Sequence, residues 1–234
     1  MPAENIELLI EFTHDDDPRA RAMAVAGLAK LADPRGFAPT LVCLYDPVDE
    51  VRAAAATALG IFGDDRAYEP LVESLTDPNE KVAVNCAWAF GQIPTVRCFD
   101  KLCEILQDKD MAPAIRTAAA TAIGERSAIA GSDIATSDEL IERARVMLLN
   151  TIEEGTDELR AACVWTLGHF PPDKQTTQVC IDLLEDEYEW VVRYAVEALA
   201  HFDDLVALDA LLNLVDSDNP AIRDLAWKAI DMLR

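Results

Sequence analysis

A cycle of about 31 residues constrains this chain more than any other feature. The stretch "DPVDEVRAAAATALGIFGDDRAYEPLVESLTD" (residues 46–77) opens on Asp46-Pro47, a turn and helix-start signal, and Asp77-Pro78 reopens the cycle one period later. Between them, Val51, Ala55, Ala58 and Leu59 fall on one helical face. Gly60 and Gly63 flank that helix's expected end, and Tyr68, Leu71, Val72 and Leu75 form a second amphipathic stretch. One template recurs along the chain: an apolar residue, followed eight positions later by a large apolar one. The pairs are Ala20/Leu28, Val51/Leu59, Val82/Phe90, Ile115/Ile123, Leu159/Leu167, Val191/Leu199 and Ile222/Ile230. Successive pairs keep the same period to within a residue or two, except for one longer step from Ile115 to Leu159. One helix pair cannot bury its apolar face alone, so neighbouring pairs must stack to make a core.

The expected architecture is therefore an all-α solenoid over residues 1–234, a single domain of about six helix pairs plus a terminal capping helix. "NIELLIEF" (5–12) is its leading helix. A hydrophobic content of 51%, mostly alanine and leucine, suits helices, because these side chains lose little freedom there. The one longer step holds "SAIAGSDIATSDE" (127–139), whose glycine, serine and aspartate predict an irregular loop. It reads first as a tolerated surface insertion, with a flap beside a binding surface as the competing reading.

Charge narrows the partners. Acidic residues number 43 against 20 basic ones, for a net charge of −23. Such a chain repels phosphate backbones and anionic lipid, so neither nucleic acid nor membrane is expected as a partner, whereas a basic protein surface is. No stretch approaches the roughly 18 apolar residues that span a bilayer. "MPAENIELLIEF" lacks a signal peptide's basic region, and the six cysteines are scattered, so a cytoplasmic protein with reduced thiols is expected.

The blocks "DPVDEVRAAAATALGIFGDDRAYEPLVESLTD" and "EYEWVVRYAVEALA" resemble HEAT-like repeats, specifically the short kind of the phycobilisome lyases and their relatives. The resemblance covers nearly the whole chain. It implies a solenoid whose second helices line a concave face, and relatives that are bilin lyase subunits, phycobilisome degradation factors or adaptor scaffolds.

Two tryptophans stand out against this frame, in "NCAWAFGQ" (85–92) and "ACVWTLGH" (162–169). With the first residue of each template pair at zero and 100° per residue, offsets zero, four, seven and eight form the core stripe. Cys86 and Cys163 sit at offset four, in that stripe. Trp88 and Trp165 sit at offset six, well away from it, where other units carry Ala26, Thr57, Thr121, Glu197 and Lys228. Adding the positions one turn before and after gathers Asn85, Trp88, Gln92, Thr121, Glu125, Trp165, His169, Tyr194, Glu197 and His201 along one strip, with Arg193 beside it. Aromatics among polar residues suit a partner-binding groove; packing between repeats is the competing reading for both tryptophans. Trp190 and Trp227 are assigned to a helix start and to the end of the solenoid.

Chemistry finds little support. The histidines occur as "THD", "GHF" and "AHF"; the His-Glu dipeptides that hold iron in the HEAT-repeat enzyme deoxyhypusine hydroxylase do not occur. Cys98 and Cys103 have no second pair nearby to complete a metal site. Glu197 and His201, four residues apart, are spaced for acid–base work, but a surface hydrogen-bonded pair is the plainer reading of them. No catalytic residue, metal or cofactor is expected. The function expected is a non-catalytic scaffold or adaptor that binds another protein on its concave face. The alternative, carried by the resemblance alone, is a bilin lyase subunit, a tetrapyrrole carrier or another phycobilisome-associated factor, with a bilin or phycobiliprotein as its partner.

Overall fold

A computed structural model describes residues 2–128, 137–202 and 205–233. They form fourteen α-helices and no strand. The helices are α1 (Pro2–Phe12), α2 (Pro18–Leu31), α3 (Phe37–Cys43), α4 (Asp49–Phe62), α5 (Tyr68–Ser74), α6 (Glu80–Gln92), α7 (Val96–Gln107), α8 (Pro113–Ala128), α9 (Asp138–Glu154), α10 (Asp157–Leu167), α11 (Lys174–Asp182), α12 (Glu189–Phe202), α13 (Leu208–Asn213) and α14 (Pro220–Met232). The all-α solenoid class expected from the repeat is what these residues build. Each even-numbered helix carries the template, and α13, a short helix, packs on α14 to make a seventh pair. Residues 129–136 of the expected 127–139 loop lie outside the described residues; Ser127 and Ala128 still belong to α8, and Ser137 caps α9.

The chain divides into two compact units, Met1–Ala122 and Ile123–Arg234. In the first, α2, α4 and α6 stack in turn; in the second, α10, α12 and α14 do. The template residues make the core. Leu28, Val51, Leu59, Val82, Phe90, Ile123, Leu159, Leu167, Val191, Leu199 and Ile230 are wholly inaccessible, whereas Ala20 is only half-buried.

Local chemistry starts and stops each helix. Asp17, Asn79 and Asn219 cap α2, α6 and α14 by accepting a backbone N–H two residues on, and Pro18 and Pro220 follow at the first helical position. Gly63 ends α4 in the left-handed region at φ 63°; its counterpart one repeat earlier, Ala32, takes φ 50° at the end of α2 despite its Cβ.

Gly60 does not share the role of Gly63. It lies inside α4, where a Cβ would sit 2.9 Å from the Ala89 Cα. Gly91 in α6 meets Ala122 in the same way, and in the second unit Gly124 in α8 meets Thr166. The recurrent glycine lets one second helix approach the next within backbone contact.

A row of arginines ties the turns together. The Arg21 Nε and Nη2 donate to the two carboxylate oxygens of Asp46 at 2.7 Å, while its Nη1 donates to the Asp15 and Asp16 carbonyls. Arg52 repeats this on Asp77, at 2.7 and 2.9 Å, and on the Asp46 and Pro47 carbonyls. In the second unit Arg160 binds Asp186 at 2.7 and 2.9 Å. Each rung joins the second helix of one pair to the turn of the next. The aspartates also accept N–H groups of their own turns, at Val48, Asn79 and Tyr188. The Arg52 hydrogen bond holds the Asp77 carboxyl below its usual range. Burial opposes the charge of Asp46, but Arg21 and the Val48 N–H outweigh it, and its carboxyl is lowered too.

Candidate functional site

In the first unit the strip residues are Asn85, Trp88, Gln92 and Thr121, all partly exposed. The Asn85 Nδ2 donates to the Ala53 carbonyl of α4 at 2.9 Å, so its side chain bridges two second helices. Trp88, one turn further along α6, leans on α4: its Cζ3 would lie 2.9 Å from a Cβ on Gly60. The indole thus fills the space that the missing side chain leaves, with part of its surface still open. The Thr121 hydroxyl donates to the Thr117 carbonyl within α8.

A groove of about 330 Å³ opens in this unit across α2, α4 and α6. Its walls include Ala26, Ala54, Thr57, Ile61 and Asn85, with Glu50 and Lys81 also on its lining. These occupy the strip's own register, at offsets six, three, six, ten and three, with Glu50 and Lys81 just before the template start. The groove exists because the strip carries alanine and threonine here, where Trp88 follows one helix later. The sequence places its conspicuous site residues nearer the chain's middle, where bulk and polarity stand out; small side chains give no such signal.

In the second unit, Trp165 repeats the posture of Trp88. Its Cζ3 would lie 2.7 Å from a Cβ on Gly124. The His169 ring packs on it at 4.2 Å between centroids, tilted 50°. The His169 Nδ1 lies 2.8 Å from the Trp165 carbonyl oxygen, so the nitrogen nearest the helix is occupied as a donor to its own chain. Glu125, in α8, is partly exposed.

On α12 the structure adds a residue to the strip. Trp190 stands one position before the template start, on the same line as Tyr194, Glu197 and His201. It is 45% exposed and lies 5.8 Å from the Tyr194 ring, with the Arg193 guanidinium 4.5 Å above its own face. Arg193 also approaches Glu189 at 3.7 Å, while its Nε is buried without a hydrogen-bond partner among the described residues. Running the strip one turn toward the helix start would have found Trp190. Glu197 is partly exposed and His201 exposed; no hydrogen bond or ion pair joins them among the described residues.

All six cysteines are reduced and buried. Burial pushes the thiols of Cys86 and Cys180 up to about 12 and that of Cys43 to about 11. They pack as small apolar groups, not as nucleophiles. Among the described residues no three His, Cys, Asp or Glu side chains converge as metal ligands, and no helix is long and apolar enough to cross a membrane.

The sequence profile described as HEAT repeats matches residues 6–83, 68–146 and 146–231. The chain belongs to the HEAT-repeat family. No curated protein matches it significantly. Among solved structures, this HEAT-repeat chain is similar to the CpcE–CpcF complex of phycocyanin lyase from Nostoc sp. PCC7120, at 17% identity and TM-score 0.56, covering 98% of this chain and 94% of the other. It is also similar to Kap95p, from a structure with RanGDP, at 15% identity and TM-score 0.70, covering 97% of this chain and 35% of the other. An engineered protein matches at 20% identity and TM-score 0.57, over 98% and 68% of the two chains. At these identities the likeness shows the shared HEAT-repeat fold.

Proposed function

We propose that this HEAT-repeat chain is a non-catalytic scaffold that binds a partner protein on the strip of its second helices. One observation carries the reading: in the first unit, strip positions of three successive second helices converge on one groove of about 330 Å³. An extended or helical segment laid across these helices would set small apolar side chains against Ala26, Ala54 and Ile61. Asn85 and Lys81 would bound the groove with polar groups. Trp88 and Trp165 present part of an indole each, and Trp190 presents more; such aromatics anchor interfaces out of proportion to their number. A net charge of −23 favours a partner with a basic surface and speeds its approach.

A second reading takes its support from the full-length likeness to the phycocyanin lyase complex: the strip would handle a bilin, with indoles against the flat tetrapyrrole and Arg193 on a propionate.

The test is affinity capture from lysate of the source organism, using the wild type beside Ala54→Arg/Thr57→Arg and Trp88→Ala/Trp165→Ala. Ala54→Arg/Thr57→Arg fills the groove from partly exposed positions and leaves the core alone. A protein retained by the wild type and lost with both variants, at unchanged helical circular dichroism, supports the scaffold. Absorbance in the visible eluting with the wild type supports the bilin reading. Equal retention by all three proteins would refute both.

A further inference from the structure

The groove of the first unit has a floor of alanine whose polar neighbours are already engaged. The Thr57 hydroxyl donates to the Ala53 carbonyl at 3.2 Å, and the Asn85 Nδ2 donates to the same oxygen at 2.9 Å. Around them lie Ala26, Ala54 and Ala58, and the helix backbone beneath is bonded within itself. An extended segment laid here would bring peptide N–H and C=O groups against alanine methyls, where each loses water and gains no partner. A helical segment bonds its own backbone and offers the floor only side chains. Length agrees with a helix. The lining runs along α4 from Glu50 to Ile61, and the rise over that stretch is about 16 Å, or three turns. The small floor residues let two helix axes approach to about 8 Å, the close end of helix packing.

Charge marks the two ends of the groove. Glu50 and Lys81, each one residue before its template start, share one end, and no ion pair joins them among the described residues. At the other end Lys30, exposed, follows Ala29 of the lining and likewise has no ion pair among the described residues. The arginines in the turns after α2 and α4 are not left so: Asp33 holds Arg35 and Asp64 holds Arg66. A helix N-terminus presents free N–H groups and favours acidic side chains in its first turn, and a C-terminus presents free carbonyls. Glu50 with Lys81 at one end, and Lys30 at the other, complement those groups.

We infer that the groove receives a three-turn amphipathic helix of the partner protein, with the helix N-terminus at Glu50 and Lys81. Its small apolar side chains, spaced three and four residues apart, enter between Ala26, Ala54 and Ile61. The Glu50 carboxylate accepts the first free N–H groups, the Lys81 ammonium pairs with an Asp or Glu of the first turn, and Lys30 donates to the last carbonyls. This inference rests on the scaffold reading and specifies the segment that the scaffold takes. The net charge of the chain acts on the whole partner at a distance, whereas these three side chains act only on the helix in contact.

The experiment is selection on the full chain from a displayed library of random peptides of about 16 residues, long enough for three turns, with Ala54→Arg/Thr57→Arg as the counter-selection that fills the groove. The enriched peptides should carry small apolar residues at spacings of three and four, with Asp or Glu concentrated in the first turn. A labelled peptide from that set, followed by fluorescence anisotropy, should bind Lys81→Glu and Lys30→Glu each at least about threefold more weakly than the wild type, as expected for reversing one exposed charge. Lys81→Arg should bind as the wild type does. Both lysines are exposed, so the helical circular dichroism of these variants should not change. Proline at the middle of the peptide should weaken binding on the order of a hundredfold. Enriched peptides with apolar residues at every second position, or with Lys or Arg in the first turn, would overturn the helix and leave the scaffold reading standing. So would binding that ignores the proline or the lysine variants. No peptide enriched over the filled-groove variant would overturn both the helix and the groove on which the scaffold reading depends.

Discussion

Gly91→Ala, compared with Gly27→Ala, tests whether the second helices stack by backbone approach. Both changes exchange a helical glycine for alanine in the first unit, and each gains about 1 kcal/mol of helix propensity. The obstacles differ. At Gly27 the new methyl would meet the Leu9 side-chain tip at 2.9 and 3.1 Å, and a leucine end can rotate aside. At Gly91 it would meet the Ala122 Cβ at 2.7 Å, with the Ala122 Cα at 3.2 Å and its carbonyl oxygen at 3.3 Å. None of these can move unless α6 and α8 part by most of an ångström. A gap of that size forfeits about a quarter to a half of the dispersion attraction along the contact. Overpacking of this kind costs about 1–3 kcal/mol, and the strain is toward the upper end where backbone is the obstacle. Gly91→Ala should therefore lose about 1–2 kcal/mol net, and Gly27→Ala should stay within about 0.5 kcal/mol of the wild type. Urea unfolding followed by circular dichroism reads both, with hydrogen exchange of α6 amides separating local from global loss, since repeats need not unfold together. A Gly91→Ala protein as stable as Gly27→Ala would refute the close approach, because propensity alone would then decide both.

The rungs, the carboxyls and the thiols each give a test of their own. Arg52→Ala should destabilise the first unit by about 2 kcal/mol, between the values for exposed and buried pairs, because it strands Asp77 and two turn carbonyls; Arg52→Lys should recover less than half, since an ammonium cannot fork onto the carboxylate, and thermal unfolding checks both. Asp46 and Asp77 have carboxyls lowered by folding, and Asp33, gripped by the Arg35 hydrogen bond, lies at about 2. Stability from these groups is complete above the unfolded aspartate value near pH ~4 and is lost as pH falls through the lowered folded values, so acid should unfold the protein below about pH 4, and Asp77→Asn should flatten that dependence. The buried thiols should react with a disulfide reagent at pH 8 at least about a hundredfold more slowly in the native protein than in urea; fast labelling of Cys86 or Cys180 would contradict their burial.

The fold was legible because the residues that write it are repeated. Val51, Val82 and Val191 hold the same wholly buried template position in three helix pairs, so one physical demand appears many times in the sequence and periodicity exposes it. The arginine row recurs too, in three rungs, yet stays hidden, because "DPVDEVR" announces a helix start and says nothing of what an arginine six residues after the aspartate can reach. That reach crosses to the turn of the next pair, and only the stacking distance brings Arg52 to Asp77. Gly60 departs from its expected place at a helix end for a related reason: a glycine near a helix end and a glycine under a neighbouring helix look alike until the neighbour is placed.

The candidate site was legible in its register but not in its relief. Offset six is distinct from the core stripe, since Trp88, Thr121, Trp165 and Glu197 are all only partly buried. What a period cannot report is depth. Two indoles lean back onto Gly60 and Gly124 and so stack repeats while keeping an open edge, which makes groove anchor and packing residue compatible roles for one side chain. Concavity instead appears where nothing conspicuous stands, at Ala26, Ala54 and Thr57, because a groove between helices is made by omitted atoms. The two features therefore carry different information. Under the proposed partner binding, the small positions would decide where a segment can lie, and the aromatic positions which segments are held. A partner selected by this strip would tolerate changes at its own backbone-near residues poorly and changes at its rim well, and charge-reversing its basic rim should slow association while leaving dissociation from the groove nearly unchanged.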